Sequence, residues 1–427
     1  MYKKSFKESF KESKNEHSSV LRRLPQRLGN SISKQLPLEF LILLIGQLVS
    51  RLGDALYTFA IPWISYELTH SVIVMGSMYA VSVLPIVLLG PIIGMFVDHW
   101  DRRRLMMFAD VTRAILVALI PLMQMLGILQ LWQLYVVSFL LAGLSLLFDV
   151  SVVAVIPNII GNKNLTKANA SYQLVNQAGD LIGPILAGIM ITTLGGYRTL
   201  WFDVVSFAGT LWAIWRIQTL GKPVAKTRLN EIFRGMGEGL HFLIHDKLNF
   251  SLSLQAMIGN FGYSAAYGVL MFYLLSTLHL NAAQISYNYA FLGLGGLAGS
   301  IIVVPLERYF RRGVLIPMLL IVGTCGFLYA LVTRFWLGPG IAFGIVTICN
   351  VAWNTLSTSI RQETIPSNML GRVLGFSRVF TRLAMPLGMM VGSLVSNSIS
   401  PVAVFAIAAV SKGVEVSIAL WSPIHKL

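Results

Sequence analysis

Apolar runs of bilayer-spanning length, about 20 residues each, recur from Leu38 to Trp421 with only short polar breaks between them. The sequence reads as twelve such spans, near 38–64, 72–97, 104–127, 131–157, 168–194, 197–215, 248–276, 283–306, 313–333, 336–360, 370–395 and 400–421. The runs are continuous rather than alternating, which excludes a β-barrel. Composition agrees: 55% of residues are apolar and 12% charged, against roughly 45–50% and about 25% in soluble domains. A chain of this kind hides its excess in lipid, and the expected fold class is an all-α membrane protein.

Net charge is +15, and its placement matters more than its size. Basic residues crowd the N-terminal stretch (Lys3, Lys4, Lys7, Lys11, Lys14, Arg22, Arg23, Arg27, Lys34) and return in alternate loops, at Arg102 to Arg104, Lys163 and Lys167, Lys222 to Arg234, Arg308 to Arg312, and Arg372. The intervening loops carry only Arg198 and Arg334. The positive-inside rule then puts both termini in the cytoplasm and makes the span number even, in a multi-pass protein of the cell membrane. Orientation accounts for the basic balance, so no nucleic-acid partner is expected. Cys325 and Cys349 fall inside spans and suggest neither a disulfide nor a metal site.

The longest polar stretch between spans lies near the middle and contains Gly221, Pro223, Gly235, Gly237 and Gly239 among mixed charges. It divides the chain into a basic cytoplasmic tail at 1–37, an N-terminal six-helix half at 38–215, a cytoplasmic linker at 216–247 and a C-terminal six-helix half at 248–427. Gly90, Asp98, Arg102 and Arg103 recur at one offset as Gly299, Glu307, Arg311 and Arg312, and Pro184 faces Pro386. A duplicated six-helix unit explains the match. Paired repeats with a site between them are the usual build of secondary transporters.

The loop after the second span reads Gly90-Pro-Ile-Ile-Gly94-Met-Phe-Val-Asp98-His99-Trp100-Asp101-Arg102-Arg103-Arg104. Gly94 is expected to allow close helix approach, and Asp98 to accept hydrogen bonds from a neighbouring helix N-terminus. Asp110 and Arg113 share a helix face and are expected to join that cytoplasmic network. The fifth span contains Gly179-Asp180-Leu-Ile-Gly183-Pro184-Ile-Leu-Ala-Gly188, a stripe of glycines suited to packing in a membrane. The first loop resembles the signature loop of the major facilitator superfamily, with His99 where a permanent cation is usual and Asp101 where glycine is usual. The fifth span resembles that superfamily's antiporter motif, in which a Gly-Pro step kinks a helix at the contact between halves. The first span, from Gly46 to Trp63 with Ser50, Arg51, Gly53 and Asp54, looks like that of the macrolide-efflux-like branch, as does Arg372 after Gly371. The resemblance covers about residues 38 to 421 and implies twelve helices in two pseudo-repeats, with export rather than uptake.

Asp54, Asp149 and Asp180 fall inside spans, where an ionised carboxylate is costly; such a group pairs, faces water or takes a proton. These are the proton-coupling candidates. Arg51 lies one turn from Asp54, so that couple is the one expected to form a static bridge, while Asp149 and Asp180 have no partner nearby in sequence. Lys412 and Glu415, three apart on the last span, read as a self-satisfied pair. Tyr57, Tyr263 and Tyr267 stand beside small residues and are the substrate-cavity candidates.

Taken together, these features predict secondary-active efflux of an amphipathic small molecule, a drug, macrolide-like compound or secondary metabolite, by alternating access in exchange for protons. A monomer without cofactor is expected. No catalytic constellation is seen: the histidines are scattered, and His241 with His245 lacks the glutamate of a zinc protease. No nucleotide-cradling glycine loop supports ATP-driven transport. The rival readings are movement of a siderophore or lysophospholipid by the same fold, and a non-transporting membrane sensor.

Overall fold

In a computed structural model the chain forms an all-α bundle, with no strand among its described residues. The structure describes residues 37–160, 165–217, 229–366 and 369–426, without the side chains of residues 91, 95, 98, 165–167, 229–236, 371 and 426. The basic tail, most of the linker's charged residues and the Asp98 side chain therefore lie outside what is described. The helices are α1 (Leu38–Thr69), α2 (Val72–Leu88), α3 (Gly90–His99), α4 (Arg102–Met125), α5 (Leu131–Ile160), α6 (Leu165–Leu194), α7 (Gly196–Arg216), α8 (Leu229–His245), α9 (Lys247–Phe272), α10 (Ala282–Tyr309), α11 (Arg312–Val332), α12 (Gly338–Thr364), α13 (Leu370–Arg382), α14 (Ala384–Ser398) and α15 (Pro401–Trp421). In lipid every backbone polar group must be satisfied within its own segment, and helices do this.

Among the described residues ten segments are long and apolar enough to cross a membrane. The two remaining expected spans fall short for identifiable reasons. The second is split at Leu89 into α2 and α3. The sixth, α7, has 21 residues, but Arg198, Asp203 and Arg216 dilute its apolar content. The eleventh span is also interrupted, at Leu383 between α13 and α14. Proline has no N–H, so Pro386 leaves the carbonyl of Arg382 without its helical donor. The linker holds α8, which packs on α13: a Cβ at Gly239 would stand 2.6 Å from the carbonyl oxygen of Arg372.

Short polar residues set the turns. His70 closes α1 in the left-handed region, at φ 49°, and Ser71 caps α2 by accepting from the Val74 N–H. Asp101 caps α4, its Oδ1 accepting from the Arg104 N–H at 3.0 Å. The loop's departure from glycine at that position thus has a local reason, because an aspartate N-cap satisfies an otherwise orphan donor. Asp246 caps α9, and Asn281 with Gln284 forms a capping box on α10.

The core differs between the two ends of the bundle. At the end away from the start of α1, one apolar core joins both halves, with Phe59, Ile64, Met75, Leu134 and Leu200 packed together with Leu270, Leu274, Ile285, Phe343 and Phe405. Toward the other end, where α1 begins and α15 finishes, the cores separate. One contains Phe40, Met106, Phe148 and Ile214 of the N-terminal half. Another contains Leu252, Leu315, Leu356 and Ile424 of the C-terminal half. The two halves are therefore sealed to each other at the far end and packed only within themselves at the terminal end.

Candidate functional site

The N-terminal half brings together arginines and aspartates from four helices, with Asp110, Arg113 and Asp203 buried and Arg51, Asp54 and Asp149 partly exposed. Arg113 on α4 is 1% exposed. It donates to Asp110 at 3.1 Å on its own helix and to Asp54 on α1. Its guanidinium also lies 4.5 Å from the ring centre of Phe207 on α7, an attractive cation–π placement. Arg51 on α1 bonds Asp149 on α5 and stands 4.0 Å from Asp54. It also donates to the Tyr172 hydroxyl on α6 at 3.4 Å. Asp203 on α7 is fully buried, accepts from the Ser206 hydroxyl at 3.3 Å, and lies within electrostatic reach of Arg113 and Asp54. Two guanidinium groups thus face the carboxylates of Asp54, Asp110, Asp149 and Asp203. Asp110 and Asp203 are fully buried, where an unbalanced charge is costly, whereas Asp54 and Asp149 keep partial access to solvent.

This network revises several expectations. Asp54 takes Arg113, not Arg51, as its close partner. Asp149, which has no partner nearby in sequence, has one in Arg51, supplied 98 residues away. Asp110 and Arg113 join this buried cluster rather than a cytoplasmic loop network. Asp203 was not singled out from the sequence, although a carboxylate inside the sixth span carried the same signal as the other three. Asp180 alone among the candidates makes no ion pair among the described residues. It is exposed in mid-helix.

The fifth-span motif serves two contacts. Gly179 and Gly183 face α1, at Arg51 and Ala55, within the same half. Gly188 faces α10 of the other half, where an added Cβ would come within 2.8 Å of the Ala282 carbonyl oxygen. Pro184 sits inside α6, a single 30-residue helix, so no break accompanies the expected kink. In the gating loop, Arg102 donates to the Ala154 carbonyl at 2.8 Å and Arg103 to that of Trp215 at 2.7 Å. Gly94 differs from expectation: among the described residues nothing lies within 4 Å of a Cβ built on it, and Gly90 is equally open. Gly94 makes no close helix approach in this arrangement. Gly375 on α13 is equally open. The second and eleventh spans are antiparallel and touch where Gly76 meets Ser393. Counting the same distance along both spans from that contact brings Gly94 opposite Gly375.

An aromatic array forms the seal between the halves. Tyr267 stacks on Tyr263 with ring centres 6.1 Å apart and meets Tyr79 at 5.4 Å and Tyr289 at 5.8 Å. Phe59 meets Tyr289 at 5.1 Å, and Tyr263 meets Phe343 at 5.9 Å. Tyr263 and Tyr267 therefore sit where the halves converge. Tyr57 belongs to the core shared by the halves, and its hydroxyl lies 3.0 Å from that of Ser138 within the N-terminal half. The Lys412–Glu415 pair is buried at 3.0 Å, and Lys412 also donates to Asn350 at 2.7 Å, so it ties α15 to α12 rather than standing alone. Among the described residues no group of His, Cys, Asp and Glu is arranged to hold a metal ion.

The sequence model of the Major Facilitator Superfamily matches residues 43–389. The chain is 25% identical over 371 residues to the multidrug efflux pump Tap of Mycolicibacterium fortuitum, spanning 84% of this chain and 89% of that protein. It is 26% identical over 376 residues to macrolide efflux protein A of Streptococcus pyogenes, spanning 85% and 90%. In fold it is similar to a bacterial homologue of the iron transporter ferroportin in its inward-facing state, with TM-score 0.74 and 17% identity over 90% of this chain and 98% of that one. The outward-facing form of such a homologue gives TM-score 0.58 at 18% identity, over 90% and 99%.

Proposed function

The chain belongs to the Major Facilitator Superfamily, and from that premise we propose that it exports an amphipathic small molecule by alternating access, in exchange for protons. The observation that carries this reading is the unequal packing of its two ends. A shared core seals the halves at the far end, while each half keeps its own core at the terminal end. A second arrangement, sealed at the terminal end, is reached by rocking one half against the other. The basic loops cluster at the terminal end, which the positive-inside rule assigns to the cytoplasm together with both termini. The described state is then inward-facing, ready to load a solute from the cytoplasm or inner leaflet. The relatives' efflux activities support the outward direction.

Each part has a role in this scheme. The halves at 38–215 and 248–427 are the moving bodies, and the linker at 216–247 tethers them on the cytoplasmic side. The aromatic array of Tyr79, Tyr263, Tyr267 and Tyr289 offers apolar surface with polar tips to an amphipathic solute. The acid-rich cluster around Arg51 and Arg113 supplies the exchangeable protons, because its carboxylates outnumber its guanidinium groups. A monomer suffices, since both halves are in one chain.

Two assays test the reading. Cells with and without the gene are profiled over a broad panel of macrolides and other amphipathic drugs. Everted vesicles then receive the protecting compounds under an imposed pH gradient. Export predicts resistance to several compounds and uphill uptake that collapses when the gradient is dissipated. Resistance without gradient-driven uptake would remove protons from the scheme, and neither effect would favour a sensor.

A further inference from the structure

The eleventh span carries two arginines that the scheme above does not use. Arg378 and Arg382 are exposed, one turn apart on α13. Arg382 lies about 18 Å along the helix from Leu370, at 1.5 Å per residue, which is near mid-membrane. Met389, eleven residues on from Arg378 and on the same helical face, packs against Tyr79 and Tyr267 at the seal between the halves. The opposite face, with Leu383, Leu387 and Leu394, is exposed and apolar, as a lipid-facing surface should be. The arginines therefore look into the space between the halves, just below the aromatic array. Asn260, one turn before Tyr263, fixes that level by donating to the Thr381 carbonyl at 3.0 Å.

Among the described residues these cations have no carboxylate within 4 Å. The carboxylates of the C-terminal half are Glu307, Glu363 and Glu415, and all are taken: the first two by Arg312, the third by Lys412. Among the described residues none lies in ion-pairing distance of Arg378 or Arg382. Behind them Arg361, 9% exposed, donates to the hydroxyls of Ser377 and Ser253 and to no carboxylate among the described residues. The stripe of the second span that the Gly76–Ser393 register sets opposite this face is Gly76, Tyr79, Ala80, Val83, Val87, Gly90 and Gly94, and its first acid is Asp98, beyond the level of Arg378. The register set by Gly76 and Ser393 brings Val87 opposite Arg382. Closure of an empty vestibule would press two like charges against apolar side chains, and unpaired buried charge is strongly disfavoured.

We propose that Arg378 and Arg382 bind an acidic group, phosphate or carboxylate, on the transported amphiphile, and that this charge permits the cytoplasmic side to close. The proposal rests on the transport reading and names its substrate class: an apolar or aromatic body that meets the tyrosines, with an anionic group one to two turns below. Arginine suits this task, because its planar fork matches carboxylate and phosphate oxygens in pairs.

The test uses the full chain in nanodiscs of phosphatidylcholine, with C325A and C349A and nitroxides at R104C and Q362C on the cytoplasmic ends of the two halves. The probes are a sixteen-carbon lysophosphatidic acid, the neutral monoacylglycerol of the same chain, and inorganic phosphate. The expected result is at least tenfold tighter binding of the acidic lipid than the neutral one, with a shortened inter-label distance only for the former. The double variant R378Q/R382Q should lose that preference while keeping its affinity for the neutral lipid, and R382K should retain the preference. Equal affinities for the two lipids in the parent protein would overturn the proposal. So would loss of neutral-lipid binding in the double variant, which would show a structural role. Phosphate bound with no gain for the lysolipid would replace it with a free-anion site. Absence of transport in vesicles, with binding discrimination intact, would sink the export reading and leave only the anion-binding role of the two arginines.

Discussion

The guanidinium of Arg113, buried in α4, donates to the carboxylate of Asp54 in α1 across 59 residues of sequence. Together with Asp110 it clips two transmembrane helices through a buried guanidinium whose partner Asp54 is partly exposed. Removing one partner of such a pair leaves uncompensated charge, at a cost of about 3–5 kcal/mol. Arg113→Met should therefore lower the thermal unfolding midpoint of the purified protein sharply. Arg113→Lys should recover part of the loss. An Arg113→Met midpoint equal to the parent's would show that the cluster carries no such load.

Coupling should reside in the acids that exceed their arginine partners. Asp149→Asn and Asp203→Asn are each expected to preserve downhill movement of solute while abolishing accumulation driven by a pH gradient. Asp180→Asn, outside the ion-paired cluster, should slow transport without abolishing accumulation. Proteoliposomes with an imposed gradient separate the cases. Uphill transport at the parental rate in both the Asp149 and Asp203 variants would exclude the cluster as the coupling site.

Open space around Gly94 and Gly375 makes a further contrast available. Gly94→Leu and Gly375→Leu meet no neighbour in the described state, so folding stability should change by only about 0.5 kcal/mol, as for surface substitutions. If the two glycines meet on closure, each variant should lose most transport and stay inward-open by spin-label distances. Normal transport in both would rule out this meeting point.

Crowding the far end should do the reverse. Gly188 has the Ala282 carbonyl of the other half 2.8 Å from where a Cβ would stand, and backbone cannot swing aside as a side chain can. Gly188→Val should loosen the aromatic seal. A cysteine placed at Tyr79 in a cysteine-free background should then react faster with an impermeant thiol reagent added outside. Unchanged labelling would mean that the α6–α10 contact does not hold the seal.

The C-terminal half offers a double-mutant cycle. Lys412 and Glu415 are both nearly inaccessible, and Glu415 Oε1 has no hydrogen-bond partner among the described residues. Lys412→Met alone should destabilise by about 3–5 kcal/mol, whereas Lys412→Met with Glu415→Met should be close to neutral, because the pair can be replaced by apolar volume. Chemical unfolding midpoints of the four proteins measure the coupling. Additive effects would mean that the two residues act independently.

Sequence alone determined the solvent of this protein, its helices, the duplicated halves and the resemblance to a transporter family. Hydropathy, charge placement and motif spacing are local properties, and the bilayer converts them directly into spans. It also singled out most of the charged residues that matter, since any acid within a span stands out. What it left open was partnership. Arg51 and Asp54 are one turn apart, yet Arg51 closes on Asp149 and Asp54 on Arg113, because i, i+3 proximity lost to geometry set by α1 packing against its neighbours. Asp203 became a site residue only when α7 was laid against α1 beside Gly53. Gly94 looked like a packing glycine and is open, because spacing along a helix does not say which neighbouring helix comes close to it. Which charge meets which, and which end is shut, depends on how rigid helices pack across tens of ångströms, and no window along the chain contains that information.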